Sequence, residues 1–338
     1  MSKQRITMEN IAKTAQVSKM TVSRVLNNKP GVSEETRQRV FEVVSELGYA
    51  PQQQILGQME GTTLIALLIP DHPTIYLGEL LRGVFRAAEQ LNCGLMLYTQ
   101  SLFNHAISPN NILSPFRTGL VDGVVMVVPR NYETVVADLR RYEVPYVIID
   151  HRSETENEAS VTATNRKGML EATRYLLALG HTRIGFITGR MDIACSHDRL
   201  QGYCDALTEV GMAVNDELIL EGDFLQPSGF KLTQKLLQSD QPPTAVIASN
   251  DMMGLGAMEA ARVNGFSIGE ALSIIGFDDL FLSSQSYPPL TTVRQPLTEM
   301  GEVALEMLIA LLQERTVLTL QRELPTELII RETTGRVR

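Results

Sequence analysis

Long apolar runs are missing from this sequence. The most hydrophobic stretches, Leu64 to Pro70 and Gly123 to Pro129, fall far short of the roughly 18 to 20 residues that a membrane-spanning helix requires. No segment is expected to cross a bilayer. The opening Met1-Ser2-Lys3-Gln4-Arg5 leads into polar, helix-forming sequence without an apolar h-region, so secretion is not expected either and the expected location is the cytoplasm. Cysteine is scarce. Cys93, Cys195 and Cys204 are odd in number, widely spaced and without a Cys-x-x-Cys pair, which argues against disulfides and structural zinc and for buried free thiols. Five scattered histidines supply no metal set, and no cofactor is expected. Charged residues make up only 20% against 44% apolar, so the chain has core material and is not disordered; 338 residues exceed what one core usually organises.

The net charge of −9 hides an asymmetry. Residues 1 to 29 hold six basic groups (Lys3, Arg5, Lys13, Lys19, Arg24, Lys29) against Glu9, giving +5; the remaining 24 basic and 38 acidic groups leave the rest at −14. A short basic module on an acidic body is the electrostatic layout of a DNA-binding headpiece joined to something else.

Periodicity sharpens this reading. Residues 7 to 47 carry three short helical patterns with start signals in place. Thr7 can cap the first, whose apolar side is Met8, Ile11, Ala12 and Ala15. Val17-Ser18 makes a turn, with Ser18 as cap to a second helix that buries Val22, Val25 and Leu26. The other face of that helix is Lys19, Met20, Ser23, Arg24 and Asn27. Pro30-Gly31 ends it, and Ser33 caps a third helix with Glu34 and Glu35 in its first turn and Val40, Phe41, Val43, Val44 and Leu47 inward. Two helices joined by a tight turn, the second exposing basic and polar groups, describe a helix-turn-helix whose second helix enters the major groove. Arg24 can donate twice to guanine, Lys19 can reach a base edge or phosphate, Met20 can pack on a thymine methyl, and Thr21 and Ser23 suit phosphates. Spacing alone leaves open a plain helical bundle with a polar face.

The residues themselves decide further. Ile6-Thr7-Met8-Glu9-Asn10-Ile11-Ala12, then Val17 through Asn27, then Val32-Ser33-Glu34-Glu35-Thr36-Arg37, and Gly48-Tyr49-Ala50-Pro51 closely resemble the headpiece of the lactose and galactose repressor (LacI/GalR) family. The resemblance implies a transcriptional regulator with Lys19, Met20 and Arg24 in base-reading positions and Tyr49 within the DNA-contacting segment. Gln16 stands where the family usually has glycine, which predicts a residue with a Cβ at positive φ. The family continues after Pro51 into a hinge helix that inserts a leucine into the minor groove. Counting from Pro51 places that leucine at Gln58, and counting back from Leu64-Ile65 places it at Gly57, so Leu56 or Met59 can act as the wedge only with a change of register. A plain linker is the alternative.

From Leu64 onward strand-like and helix-like segments alternate. Strands are expected at Leu64 to Ile69, Leu95 to Thr99, Val124 to Val128, Tyr146 to Asp150, Arg183 to Thr188, Ala245 to Ser249 and Leu272 to Phe277. Helices are expected through Leu80 to Leu91, from Glu133, and at Met169 to Leu179, Leu200 to Val210, Gly229 to Leu237 and Met252 to Asn264. This is an α/β pattern of two doubly wound parallel sheets, with a cleft between them. The division expected is a headpiece at 1–50, a hinge at 51–61, and a core at 62–338. Within the core, lobe 1 takes about 62–162 plus 294–324, and lobe 2 about 163–293 plus 325–338.

Ligands in such folds gather at the carboxyl ends of strands, which draws attention to Asp71, His72, Asp150, Arg152, Asn250, Asp251, Asp278 and Asp279. Any one of these alone suits a loop or helix cap better; their convergence is what suggests a site. The resemblance extends over the body as well, through Pro70-Asp71, Glu79-Leu80-Leu81-Arg82-Gly83-Val84, Val121-Asp122-Gly123, Gly180-His181-Thr182-Arg183-Ile184, Arg199-Leu200-Gln201-Gly202-Tyr203, Ser249-Asn250-Asp251 and Gly276-Phe277-Asp278-Asp279. It implies the fold of periplasmic sugar-binding proteins. Arg199, Asn250 and Asp278 would then bond a polyol from one lobe, Asp150 would do so near the crossover, Phe224 would stack on it, and Tyr76 would line the other lobe. Carboxylates, an amide, a guanidinium and an aromatic face are the groups that paired hydroxyls and C–H faces require. Two departures stand beside these: Thr74-Ile75 replaces the usual Asn-Pro, and Leu102 to Arg117 carries Pro109 and Pro115 in place of an acidic helix.

An enzyme is not expected. Gly265-Phe266-Ser267-Ile268-Gly269 spells a nucleophile elbow, but a helical pattern precedes it and a strand pattern follows, the reverse of what the elbow needs. Gly254-Leu255-Gly256 lacks the third glycine of a dinucleotide fingerprint. A free-standing sugar-binding module is the rival reading, and it leaves residues 1 to 50 unexplained. The expected protein is a dimeric repressor on palindromic operator DNA, dimerised through helices of its body, and governed by a small sugar-like effector.

Overall fold

The computed structural model describes residues 8–26, 31–47, 63–71, 74–99, 121–128, 132–141, 143–151, 158–315 and 319–337. The hinge, Thr7, Asn27, Tyr49, Leu56, Met59 and Arg152 lie outside them.

Three helices open the chain: α1 (Met8–Thr14), α2 (Lys19–Leu26) and α3 (Glu34–Leu47). They share a small core in which Ile11, Ala12, Ala15, Val22, Val25, Val40 and Val43 are buried. Two of the three expected caps are made, and the third, at Thr7, lies outside the described residues. Ser18 Oγ accepts from Thr21 N at 3.0 Å and Ser33 Oγ from Thr36 N at 3.3 Å. Gln16 has φ 54°, the left-handed conformation its position predicts.

The body contains two six-stranded sheets. The first runs, in chain order, β1 (Leu64–Ile69), α4 (Ile75–Gln90), β2 (Gly94–Thr99), β3 (Gly123–Val127), α5 (Tyr132–Arg141), β4 (Tyr146–Ile149) and β5 (Ser160–Ala163). The chain then crosses to the second sheet through α6 (Asn165–Ala178), β6 (Ile184–Thr188), α7 (Ala194–Glu209), β7 (Ile219–Glu221), α8 (Gln226–Leu237), β8 (Ala245–Ala248), α9 (Asp251–Val263), β9 (Ser273–Asp278), α10 (Phe281–Gln285) and β10 (Thr291–Arg294). It returns with α11 (Leu297–Leu312) and β11 (Gln321–Leu324) and crosses once more into β12 (Glu327–Ile329).

The spatial order is β11-β5-β4-β3-β1-β2 in one sheet and β12-β10-β9-β8-β6-β7 in the other, with every pairing parallel except β10 with β12. Strands β3, β6, β8 and β9 are buried along their whole length, as expected of parallel strands covered on both faces. The order reverses at β1 and at β6, so the carboxyl ends beside those strands are the topological places for a ligand.

Helix α11 closes the first sheet by packing on α4. Gly83 lies against the Thr298 backbone and Gly301 against the Leu80 backbone, so a Cβ at either place would force the helices apart. The crossings are tied to each other: Thr164 Oγ1 lies 2.8 Å from Thr326 Oγ1 and accepts from Thr326 N at 2.8 Å.

The structure adds elements that the hydrophobic pattern did not predict, namely β5, β7, α10, β10, β11 and α11. It also starts α6 at Asn165 and α7 at Ala194, earlier than the apolar period implied. The short strands carry too few residues for alternation to register, and β11 is an exposed edge strand of polar sequence. Of the three thiols Cys195 is buried, whereas Cys93 and Cys204 are only partly so.

Candidate functional site

The first site is the outer face of α2. Val22 and Val25 point into the headpiece core, which turns Lys19, Met20 and Arg24 outward, Met20 with 68% of its surface exposed. Ser18, Met20, Thr21 and Arg24 form one wall of a concavity of about 340 Å³, and Gly31, Ser33 and Thr36 form the other. Ser23 is partly buried beside them. Lys19 Nζ pairs with Glu9 Oε1 at 2.9 Å, and this hydrogen bond holds the Glu9 carboxyl below its usual range. That partnership was not legible in the sequence, because it joins residues on two different helices.

The second site lies where the two sheets meet. Asp150 ends β4 with φ 58° and is buried, and Tyr76, in the first turn of α4, donates its hydroxyl to Asp150 Oδ2 at 2.9 Å. From the other sheet come Cys195 and Arg199 of α7 and Asp278 at the end of β9, all buried. Arg199 Nη1 stands 3.8 Å from Asp278 Oδ1, and its guanidinium lies 3.9 Å from the centre of the Phe277 ring. Arg199 Nε donates to Asn165 Oδ1 at 2.9 Å and Nη1 to the Ser249 carbonyl. Gln295 Nε2 donates to Asp278 Oδ1 at 2.7 Å.

Burial sets the electrostatics. It pushes the Tyr76 hydroxyl and the Cys195 thiol well above their ordinary ranges, with the Asp150 charge acting in the same direction. It also raises the Asp278 carboxyl well above the usual carboxylate range, against the opposing pull of Arg199.

The remaining expected residues stand around this group in different ways. Asn250 follows β8 and precedes α9; its Oδ1 accepts from Met253 N at 2.9 Å to cap α9, and its Nδ2 donates to the Phe224 carbonyl at 3.0 Å. That second bond fixes Phe224, whose φ is 67° and whose ring lies over Gly189, where a Cβ would collide with it. Asp71 stands exposed at the carboxyl end of β1. Asn165, Cys195, Ser249 and Gln295 were missed by sequence reasoning. Asn165 reads as a helix start and Cys195 as an ordinary thiol, and Gln295 falls between two elements that were not expected.

A helix-turn-helix with an exposed polar face, joined to two parallel sheets with buried polar groups between them, defines a DNA-binding regulator with an effector-binding core. Residues 7–52 match the family described as bacterial regulatory proteins, lacI family, and residues 173–334 match the periplasmic binding protein-like domain. The chain is 33% identical over 335 residues to catabolite control protein A of Priestia megaterium, covering 97% of this chain and 99% of that one. Among solved structures it is similar to the transcriptional regulator CelR in complex with cellobiose, with TM-score 0.72, 29% identity, and coverage of 97% and 100%. It is similar too to the lac repressor dimer bound to operator and the anti-inducer ONPF, with TM-score 0.72, 27% identity, and coverage of 98% and 100%. The chain belongs to the LacI family of bacterial regulatory proteins; it is a transcriptional regulator and not an enzyme. Among the described residues no helix is long and apolar enough to cross a membrane.

Proposed function

We propose that this chain is a repressor that binds palindromic operator DNA as a homodimer in the cytoplasm and changes its grip when a small sugar-like effector occupies the space between its lobes. The observation that carries the reading is the placement of buried Asp150 and partly buried Tyr76 from one sheet beside buried Cys195, Arg199 and Asp278 from the other. Buried charge and hydroxyl groups of this density are costly to a core and suit a polyhydroxylated ligand, whose hydroxyls would satisfy them.

The headpiece comprises residues 1–50, the hinge 51–61 and the core 62–338, with the lobes dividing near 162, 293 and 324. Lys19, Met20 and Arg24 read bases, and Thr7, Ser18, Thr21, Ser23, Asn27 and Tyr49 serve phosphates or position the helix, with Leu56 or Met59 near the minor groove. Asp71, Tyr76, Asp150, Arg152, Arg199, Phe224, Asn250 and Asp278 surround the effector. Two-fold pairing of headpieces matches two half-sites, and the family likeness to an operator-bound dimer supports it. Effector and operator each favour one arrangement of the lobes, with a coupling of about 1 to 3 kcal/mol.

The test is selection of bound sequences from random duplex DNA by the full chain, followed by anisotropy titration of the selected site with and without candidate sugars. Enrichment of an inverted repeat and a shift in its affinity by one sugar are expected. Recovery of no preferred sequence overturns the reading.

A further inference from the structure

Glu9 is the single acid among the first 29 residues, where it stands against six basic groups. Its Oε1 accepts from Lys19 Nζ at 2.9 Å, with 73% of its side chain and 62% of the lysine's exposed. The pair joins the first turn of α1 to the first residue of α2. Because the Lys19 hydrogen bond holds the Glu9 carboxyl below its usual range, both partners stay charged at neutral pH.

Such a pair does little for folding. Both groups are wet, and an exposed ion pair loses most of its attraction to solvent screening and to the freedom its two side chains give up. The headpiece already has its caps at Ser18 and Ser33 and a buried core of its own. For DNA binding the pair is a disadvantage. It neutralises one of the six cations and sets a carboxylate beside the helix that meets the duplex, which forgoes the affinity of about one phosphate contact. A feature that weakens general binding without stabilising the fold has the character of a device for discrimination.

The geometry says how it acts. Lys19 opens α2, and the amino-terminal residues of a helix lying in the major groove are those that meet base edges. An untethered ammonium on a flexible four-carbon stem settles on phosphate, which carries no sequence information. Here one of its three donors is held by Glu9. That bond ties the ammonium to α1 and leaves two donors for acceptors ahead of it, such as guanine O6 and N7.

We propose that Glu9 is a positioning residue for operator recognition: its carboxylate holds Lys19 to a base edge and keeps it off the phosphate backbone, so that the chain loses general affinity for DNA and gains discrimination. The inference rests on the reading of α2 as the base-reading helix.

The experiment compares the full chain with its Glu9→Gln and Lys19→Ala variants and the double variant, by anisotropy titration of the selected operator and of a random duplex over a range of salt concentrations. Glu9→Gln should bind the random duplex about tenfold more tightly at about 0.1 M salt and steepen the dependence of log K on log salt by about one, the share of one added phosphate contact. The ratio of operator to random affinity should fall about tenfold. In the Lys19→Ala background Glu9→Gln should change that ratio by less than about threefold, because no ammonium is left to release. An unchanged ratio and slope in Glu9→Gln overturns the proposal, whatever happens to its melting temperature. Equal changes with and without Lys19 overturn it too, since Glu9 would then act through its own charge alone. A parent chain that binds operator and random duplex equally counts against the regulator reading itself, whereas a parent that discriminates and a Glu9→Gln chain that discriminates as well refute only this inference.

Discussion

Gln295 holds Asp278 through a 2.7 Å hydrogen bond, and Gln295 is also the residue at which the chain leaves the second sheet for the first. One end of this contact faces the cleft and the other is the start of the connection to α11, which packs on α4. Under the proposed function, a change in what Asp278 touches would reach the crossing between the lobes through this bond.

Arg199→Leu should cost about 1 to 3 kcal/mol of folding stability for each buried acceptor it leaves without a donor, Asn165 Oδ1 and the Ser249 carbonyl. Asp278→Asn should cost less, since it keeps shape and most hydrogen bonds, while still weakening the effector response. Urea denaturation monitored by circular dichroism reads both; an Arg199→Leu protein as stable as the parent would refute the packing role.

Arg24→Ala should weaken operator binding by about 1 to 3 kcal/mol, the value of a good bidentate base contact, and leave folding unchanged because Arg24 is exposed. Anisotropy against operator variants checks it. If the loss is equal for every base at one half-site position, Arg24 touches phosphate and not a base.

The pH dependence of stability should carry the mark of Asp251. Its carboxyl is buried under α10 and β10, accepting from Leu280 N at 2.7 Å and from the Ser283 and Thr292 hydroxyls, and burial outweighs these donors to push it from 3.8 up to about 7. A carboxyl raised on folding contributes stability that is complete below its unfolded value and is lost as pH rises through its folded value. The stability of the parent relative to Asp251→Asn should therefore fall between about pH 4 and pH 7 and level off above. Thermal melts of both proteins across that range test the sign; a difference that grows with pH contradicts it.

Gln16→Gly should strengthen the headpiece. At φ 54° a side chain with a Cβ sits in the left-handed region at a cost of roughly 1 to 2 kcal/mol, part of which glycine returns through its greater freedom when unfolded. Amide exchange in α1 and α2 of the full chain should slow about fivefold, equivalent to about 1 kcal/mol. Faster exchange would show that Gln16 is held by contacts worth more than the strain.

Much of the headpiece was legible because its signals are local. Ser18 and Ser33 cap the helices their positions announce, and the departure at Gln16 foretold its φ. The long buried strands β1, β3, β8 and β9 were legible for a similar reason, as continuous apolar runs bounded by polar residues. By contrast, β10, β11 and α11 were not. Helix α11 is buried on most of its surface, from Leu297 and Met300 through Leu305 and Ile309, so it lacks the one-sided period that marks an amphipathic helix. In the cleft, Asp150, Arg199 and Asp278 could be nominated from strand ends and family likeness, whereas Gln295 and Asn165 could not.

Sequence alone determined that a basic, capped helical module precedes an acidic α/β body and that polar residues follow several of its strands, because caps, periods and charge are properties of neighbours in the chain. Only the tertiary structure decided that Asp150 loses one partner, that Arg199 spends its donors on Asn165 and Ser249, and that Gln295 touches Asp278. These depend on two sheets closing on each other, and burial, which sets the cost of an unpaired oxygen or a lone charge, exists only once they have closed.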